Sequence, residues 1–356
     1  MSIYKEKFKP LKFPRDEQKH DHIIEWWYFN GNLRTKNGQS FSYMHTLFAT
    51  KPKLVKIPFL QNIPLKTLYF SHYLLTDNNK HQFKEKINPI CLVDANSFTK
   101  PLLWVHYDNT CLIEENNLFE YHLVNDFVDL RLKQIKKPLL VNKKGFLDLE
   151  VKTTYYYSLT HLETSGLIKM GDGWQEVSGL SWMDHQWAQT PLTSDDKWTW
   201  FSVQLENRLD LVIFIYGDEI KTYHASLIDE RNKISTTDNV LIRETGKKFV
   251  SKQTGATYNL EYEIFLPDFN INLEVNPYNK NQEMIFGTIN YWEGGVSILG
   301  KINGKKVRGR GFMELVGSPM KKSLTNVYLQ QFKRDYLNKG LKLISKEFLE
   351  KFRAYK

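Results

Sequence analysis

Only two cysteines, Cys91 and Cys111, occur in 356 residues. So few exclude a disulfide scaffold, and a reducing compartment accounts for them. No apolar run is long enough to cross a bilayer, which excludes a helical membrane span. Met1 to Phe13 alternates Lys with single apolar residues and has no continuous apolar stretch, so no signal peptide is expected. The net charge is +9, yet Lys and Arg are spread along the chain rather than gathered with stacking aromatics. That excludes a nucleic-acid partner. No Gly-rich phosphate loop is present, so no nucleotide is expected. Ser178-Gly179-Leu180-Ser181 is not a nucleophile elbow, which leaves hydrolysis unsupported. His20, His22 and Glu25 lack further ligands at zinc-like spacing. They read as two surface histidines before a strand, and no metal is expected.

Aromatics, by contrast, are abundant, and they lie in short runs with Thr, Val and Ile that suit half-buried strands. The runs also repeat. Glu25-Trp26-Trp27-Tyr28-Phe29 leading to Leu33 matches Lys197-Trp198-Thr199-Trp200-Phe201 leading to Leu205. The strand Phe41 to Phe48 then matches Leu211 to Tyr216, and His72 to Asp77 matches His224 to Asp229. Asp126-Phe127 matches Asp268-Phe269, and Val177 to Asp184 matches Val307 to Glu314. The order is the same in both halves, which predicts a duplicated domain. Short alternating strands separated by turns such as Asp77-Asn78-Asn79 and Asn303-Gly304 indicate antiparallel barrels or sandwiches. The boundary falls in the linker-like stretch Thr190 to Asp196. Domains are therefore expected over residues 1–190 and 197–324. Residues 325–356 show helical apolar spacing with many basic residues between. This tail is expected to pack over a sheet edge or barrel mouth; its alternative is peripheral contact with an anionic membrane. The expected location is cytoplasmic.

Four segments carry a family resemblance: Glu25 to Gly31, Ser178 to Trp187, Tyr291 to Gly294 and Gly309 to Gly317. Together they resemble the hydroxyneurosporene synthase (carotenoid hydratase) and AttH-like family, to which fungal decalin-forming pericyclases are also similar. The resemblance runs from about His20 to Ser318, with Trp182-Met183-Asp184-His185-Gln186-Trp187 its most specific part. It implies an all-β tandem pair of lipocalin-like domains and an apolar, isoprenoid or polyketide-like substrate.

Adding water to an alkene needs an acid, a cradle for the cation and a base, and no cofactor. Desolvation fits a carboxyl for the first task, an aromatic face serves the second and a histidine the third. Residues two apart on a strand share a face. His185 and Trp187 thus face one way, and Trp182, Asp184 and Gln186 the other. If the strand from Leu211 continues to Asp218, then Tyr216 and Asp218 also share a face. The hydratases' His-x-Trp and Tyr-x-Asp pairs are the natural counterparts. The expected site is Asp218 as acid, His185 as water base, and Trp187 with Tyr216 as cradle. Glu25 and Glu293 are alternative acids. Asp184 matches Glu314 in the repeat and reads as an anchor that accepts backbone hydrogen bonds. Trp26, Trp27, Tyr28, Trp182, Asp184, Trp200, Trp292 and Glu293 are expected to bind substrate. The function read from this is a cofactor-independent hydratase, or a cyclase or pericyclase, acting on a large apolar polyene, isoprenoid or polyketide-like molecule. The alternative is a lipid-binding or carrier protein that uses the same cavity without turnover.

Overall fold

A computed structural model describes residues 5–54, 65–149, 152–171, 173–191, 196–286, 289–324, 339–342 and 345. The expected basic helix over residues 325–356 lies almost wholly outside them, as do residues 192–195 of the expected linker.

The chain folds into two large antiparallel sheets, as the alternating runs and turn signals require. The first follows the path Gln82–Asn88, Leu68–Asp77, Ser40–Thr50, Ile24–Arg34, Gly173–Ala188, Lys152–Met170, Val128–Gln134, Glu120–Val124, Thr110–Glu114, Trp104–Tyr107. The second follows Ile234–Thr237, Thr222–Ile228, Asp210–Tyr216, Trp198–Leu205, Lys305–Val316, Ile289–Ile302, Ile271–Pro277, Glu261–Leu266, Leu241–Thr245. The nine strands of the second path follow the order of the first nine of the first, with Trp104–Tyr107 the extra strand, so the sequence repeat is a repeat of topology. In each sheet the first strand of the unit pairs with its last. Tyr28 therefore lies opposite Asp184, and Trp200 opposite Glu314. The repeated His-to-Asp segments end in equivalent turns. Asp77 Oδ1 accepts from the backbone N–H groups of Asn79 and Lys80, and Asp229 Oδ1 from those of Arg231 and Lys233. The ends of each path do not pair with each other among the described residues, so each unit is a curled sheet rather than a closed barrel.

The central strands are apolar on both faces because both are covered. Along Ile24–Arg34, Trp27, Phe29 and Leu33 enter the core enclosed by the first sheet. Tyr28 points the opposite way, into a cluster built by both sheets. That shared cluster joins Tyr28, Met44, Tyr156 and Trp182 to Trp200, Val212, Phe214, Tyr291 and Phe312. Each such side chain fully buried contributes roughly 1.5–3 kcal/mol. Close approach is possible because Gly295 lies over Ser42: a Cβ there would sit 2.1 Å from Ser42 Oγ. A buried ionic contact crosses the same boundary. Lys136 Nζ lies 2.7 Å from Asp210 Oδ2, and Thr160 Oγ1 donates to the same oxygen at 2.9 Å.

Candidate active site between the two sheets

The expected site residues divide among three places. His185 and Trp187 occupy the interior of the first sheet, as their shared strand face requires. Trp182 and Asp184, on the opposite face of the same strand, look into the shared cluster. Asp218 joins neither. The strand ends at Tyr216, and Gly217 turns the chain with φ +105°, a conformation that favours glycine. The alternation on which Asp218 was placed stops there. Its carboxylate, 62% exposed, pairs with Lys197 at 2.5 Å. Tyr216 is half-buried at the rim of the shared cluster; its hydroxyl donates to Asp196, and Lys152 Nζ lies 4.4 Å from its ring centroid. The structure therefore does not bring Asp218 and Tyr216 together with His185 and Trp187.

The expected substrate-binding set is similarly split. Trp27 is fully buried in the first core, its indole N–H donating to the Glu17 carbonyl. Trp292 is fully buried in the second core, its indole N–H donating to the Lys280 carbonyl. Trp26 is half-buried beside the shared cluster, near Phe48. Tyr28, Trp182, Asp184, Trp200 and Glu293 meet between the sheets.

That meeting place is pseudo-symmetric, because equivalent strands of the two units face each other. The Tyr28 and Trp200 rings cross edge to face at 5.4 Å. Each reaches into the other unit: the Tyr28 hydroxyl donates to Glu293, and Trp200 Nε1–H donates to the Tyr156 hydroxyl at 2.8 Å. Tyr291, the counterpart of Tyr156, is hydrogen-bonded to His72 of the first unit. Three carboxyls stand in this aromatic surround. Asp184 accepts from Ser158 at 2.5 Å, Trp182 at 2.6 Å and Tyr156 at 2.7 Å. Both its oxygens are thus engaged, by side chains rather than by the backbone donors expected. Burial still pushes its carboxyl up to about 7 against those bonds.

Glu293 and Glu314 are bonded more sparingly. They are opposite neighbours on adjacent strands, which places their Cβ atoms about 4.5–5.5 Å apart on one face. Glu293 is 1% exposed and accepts from Tyr28. Glu314 is only half-buried and accepts from Trp198 Nε1–H at 3.0 Å. Burial, then the neighbouring Glu314, holds the Glu293 carboxyl well above the usual carboxylate range. Burial lifts Glu314 to about 7, with Asp184 adding to the rise. The charge of Glu314 disfavours ionisation of Glu293, so the two do not readily ionise together. Glu293 is one of the alternative acids that the sequence offers. In the sequence Glu314 stands out only as the repeat counterpart of Asp184, and that correspondence is the signal that points to it.

A second polar cluster fills the interior of the first sheet. His185 Nε2 lies 2.9 Å from Glu25 Oε1, and His20 Nδ1 lies 2.7 Å from the same oxygen. Burial lowers His185 to about 4 even though Glu25 opposes it. Beyond it, His185 Nδ1 is 3.1 Å from the Tyr157 hydroxyl, which donates to Glu17. Tyr121 donates to the other Glu17 oxygen, and burial holds that carboxyl well above its usual range. His20 stacks on Trp187 at 3.9 Å. The side chains of His20 and His22 are only 17% and 14% exposed, so the expectation of two surface histidines is corrected. The segment before the first strand folds back over the sheet and covers them.

Known proteins share this architecture. A crystal structure of an AttH-type protein from Nitrosomonas europaea superposes with a TM-score of 0.74 at 25% identity, covering 87% of this chain and 98% of that one. Kievitone hydratase from Nectria haematococca superposes at 0.69 with 15% identity, covering 87% and 94%. CghA superposes at 0.52 with 10% identity, covering 85% and 90%. These last two likenesses are of fold, the lipocalin-like all-β tandem. In sequence, a stretch of 185 residues is 24% identical to kievitone hydratase from Fusarium solani subsp. phaseoli. It covers 49% of this chain and 52% of that protein, about half the length of each. The AttH-like family model matches residues 4–318, and the chain belongs to the AttH-like family.

Proposed function

We propose that this protein is a hydratase whose acid and base are Glu293 and Glu314, acting on a large apolar polyene, isoprenoid or polyketide-like substrate held between the two sheets. The observation that carries the reading is the pair itself: two adjacent, sparingly bonded carboxyls with raised pKa values in an aromatic surround. Protonated Glu293 gives its proton to one alkene carbon. The faces of Tyr28, Trp198 and Trp200 stabilise the cation left on the other carbon. Water adds to that cation, and ionised Glu314 takes the proton the water loses. Transfer of that proton across the pair restores the starting state, and no cofactor enters the balance. Similarity to a hydratase supports the reaction class.

The test begins by identifying what the protein carries, through native mass spectrometry and solvent extraction, and then assays turnover. Glu293→Gln and Glu314→Gln are each expected to lower kcat by roughly 10²–10⁴-fold, the range for loss of a general acid or base. Substrate binding is expected to persist in both. Unchanged turnover in both variants refutes proton-initiated hydration and leaves a shape-driven cyclisation. Binding without turnover in the unaltered protein leaves a carrier.

A further inference from the structure

We propose that His20, Glu25 and His185 form a binding site for one divalent transition-metal ion of the zinc type, which fastens the N-terminal segment to the interior of the first sheet. The three residues come from separate places: the segment before the first strand, the start of Ile24–Arg34, and the end of Gly173–Ala188. One ligand atom from each lies within 4.8 Å of the others. Two imidazoles and one carboxylate are a common donor set for zinc.

The surroundings match a metal site beyond the three ligands. In such sites the second nitrogen of each histidine is held by an outer partner that fixes the ring. His20 presents Nδ1 to the centre, and its Nε2 lies 3.5 Å from Asp16 Oδ1. His185 presents Nε2 to the centre, and its Nδ1 lies 3.1 Å from the Tyr157 hydroxyl, itself tied to Glu17. Glu25 is oriented as well, because Oε2 accepts the His20 backbone N–H at 2.8 Å. Stacking sets the ring planes: Trp187 lies on His20 at 3.9 Å, and Trp27 on His185 at 4.7 Å. Both imidazoles are aimed at one oxygen, Glu25 Oε1. A dication placed among the three atoms takes over the role of the protons now shared there. His20 is 17% exposed whereas Glu25 and His185 are 1% and 0%, so the ion enters, and keeps any water ligand, on the His20 side.

The site is separate from the Glu293–Glu314 pair, and its test does not depend on turnover. The full chain, stripped with chelator, is titrated with Co(II) while visible absorption is followed, and Zn(II) affinity is then read by competition. One equivalent per chain is expected, with the absorption of an ordered nitrogen–oxygen site, and Zn(II) is expected to raise the Tm. His20→Gln, at the least buried of the three positions, is expected to weaken binding by roughly 100-fold and to reduce the Tm rise accordingly. Asp16→Asn is expected to weaken it by about 10-fold or more through loss of the outer partner. His22→Gln is expected to bind as the unaltered chain does, because His22 is bonded to Glu6 instead. Absence of stoichiometric binding at micromolar Zn(II) overturns the proposal. So does undiminished binding by His20→Gln, or loss of binding in His22→Gln equal to that in His20→Gln.

Discussion

Replacing Lys136 by Met removes one half of an ion pair that ties the two sheets together. The Lys136 side chain is 3% exposed and that of Asp210 is 0%. Lys136 donates to Asp210 at 2.7 Å and to the Arg208 carbonyl at 2.6 Å. Met preserves the buried stem and its packing, so the loss is chiefly electrostatic. Breaking a buried pair from one side costs about 3–5 kcal/mol, because the other charge stays buried. Here Thr160 at 2.9 Å and His161 at 3.2 Å still contact Asp210, which places the expected loss near the low end, about 3 kcal/mol. For domains of this size that is a fall in Tm of roughly 6–12 °C. Lys136→Met with Asp210→Leu removes both charges together and is expected to lose less than Lys136→Met alone. Thermal and urea unfolding, followed by circular dichroism, measure these two variants and Asp210→Leu alone. A loss below about 0.5 kcal/mol for Lys136→Met, the range of ordinary surface changes, would refute the reasoning. So would strict additivity of the two single changes, since contacting groups must couple.

Asp184 gives a pH dependence whose sign follows from its folded pKa of about 7, above the ordinary carboxylate value. Its contribution to stability is present at acid pH and is lost as pH rises from about 4 to about 7, on the order of 1.4 kcal/mol per unit of pKa displacement. Asp184→Asn is expected to lessen the fall of the urea midpoint across that window, and an unchanged slope sinks the assignment. Asp218→Asn, at an exposed carboxylate, is expected to change stability by less than about 0.5 kcal/mol and to leave turnover intact. Loss of turnover in that variant would return Asp218 to the site. Activity itself is expected to rise as Glu314 ionises near pH 7, and Glu314→Gln is expected to remove that rise.

Features that depend on neighbours along the chain are legible in the residues alone. Alternation of aromatic and β-branched residues specifies strands, and duplication of the strand order specifies the tandem. The two-residue period separated His185 and Trp187 from Trp182 and Asp184, and the two faces do open on different places. Parity failed where the backbone left the strand: Gly217 adopts φ +105°, and Asp218 swings into solvent. Which faces meet is set by the packing of the two sheets. Glu293 finds Tyr28 across 265 positions, and His185 finds Glu25 across 160. No local periodicity encodes such contacts, because they arise when curled sheets pack and close approach at residues such as Gly295 sets the spacing. The raised carboxyl pKa values have the same origin: a side chain's chemistry comes from its sequence, but its desolvation comes from whatever the fold lays over it.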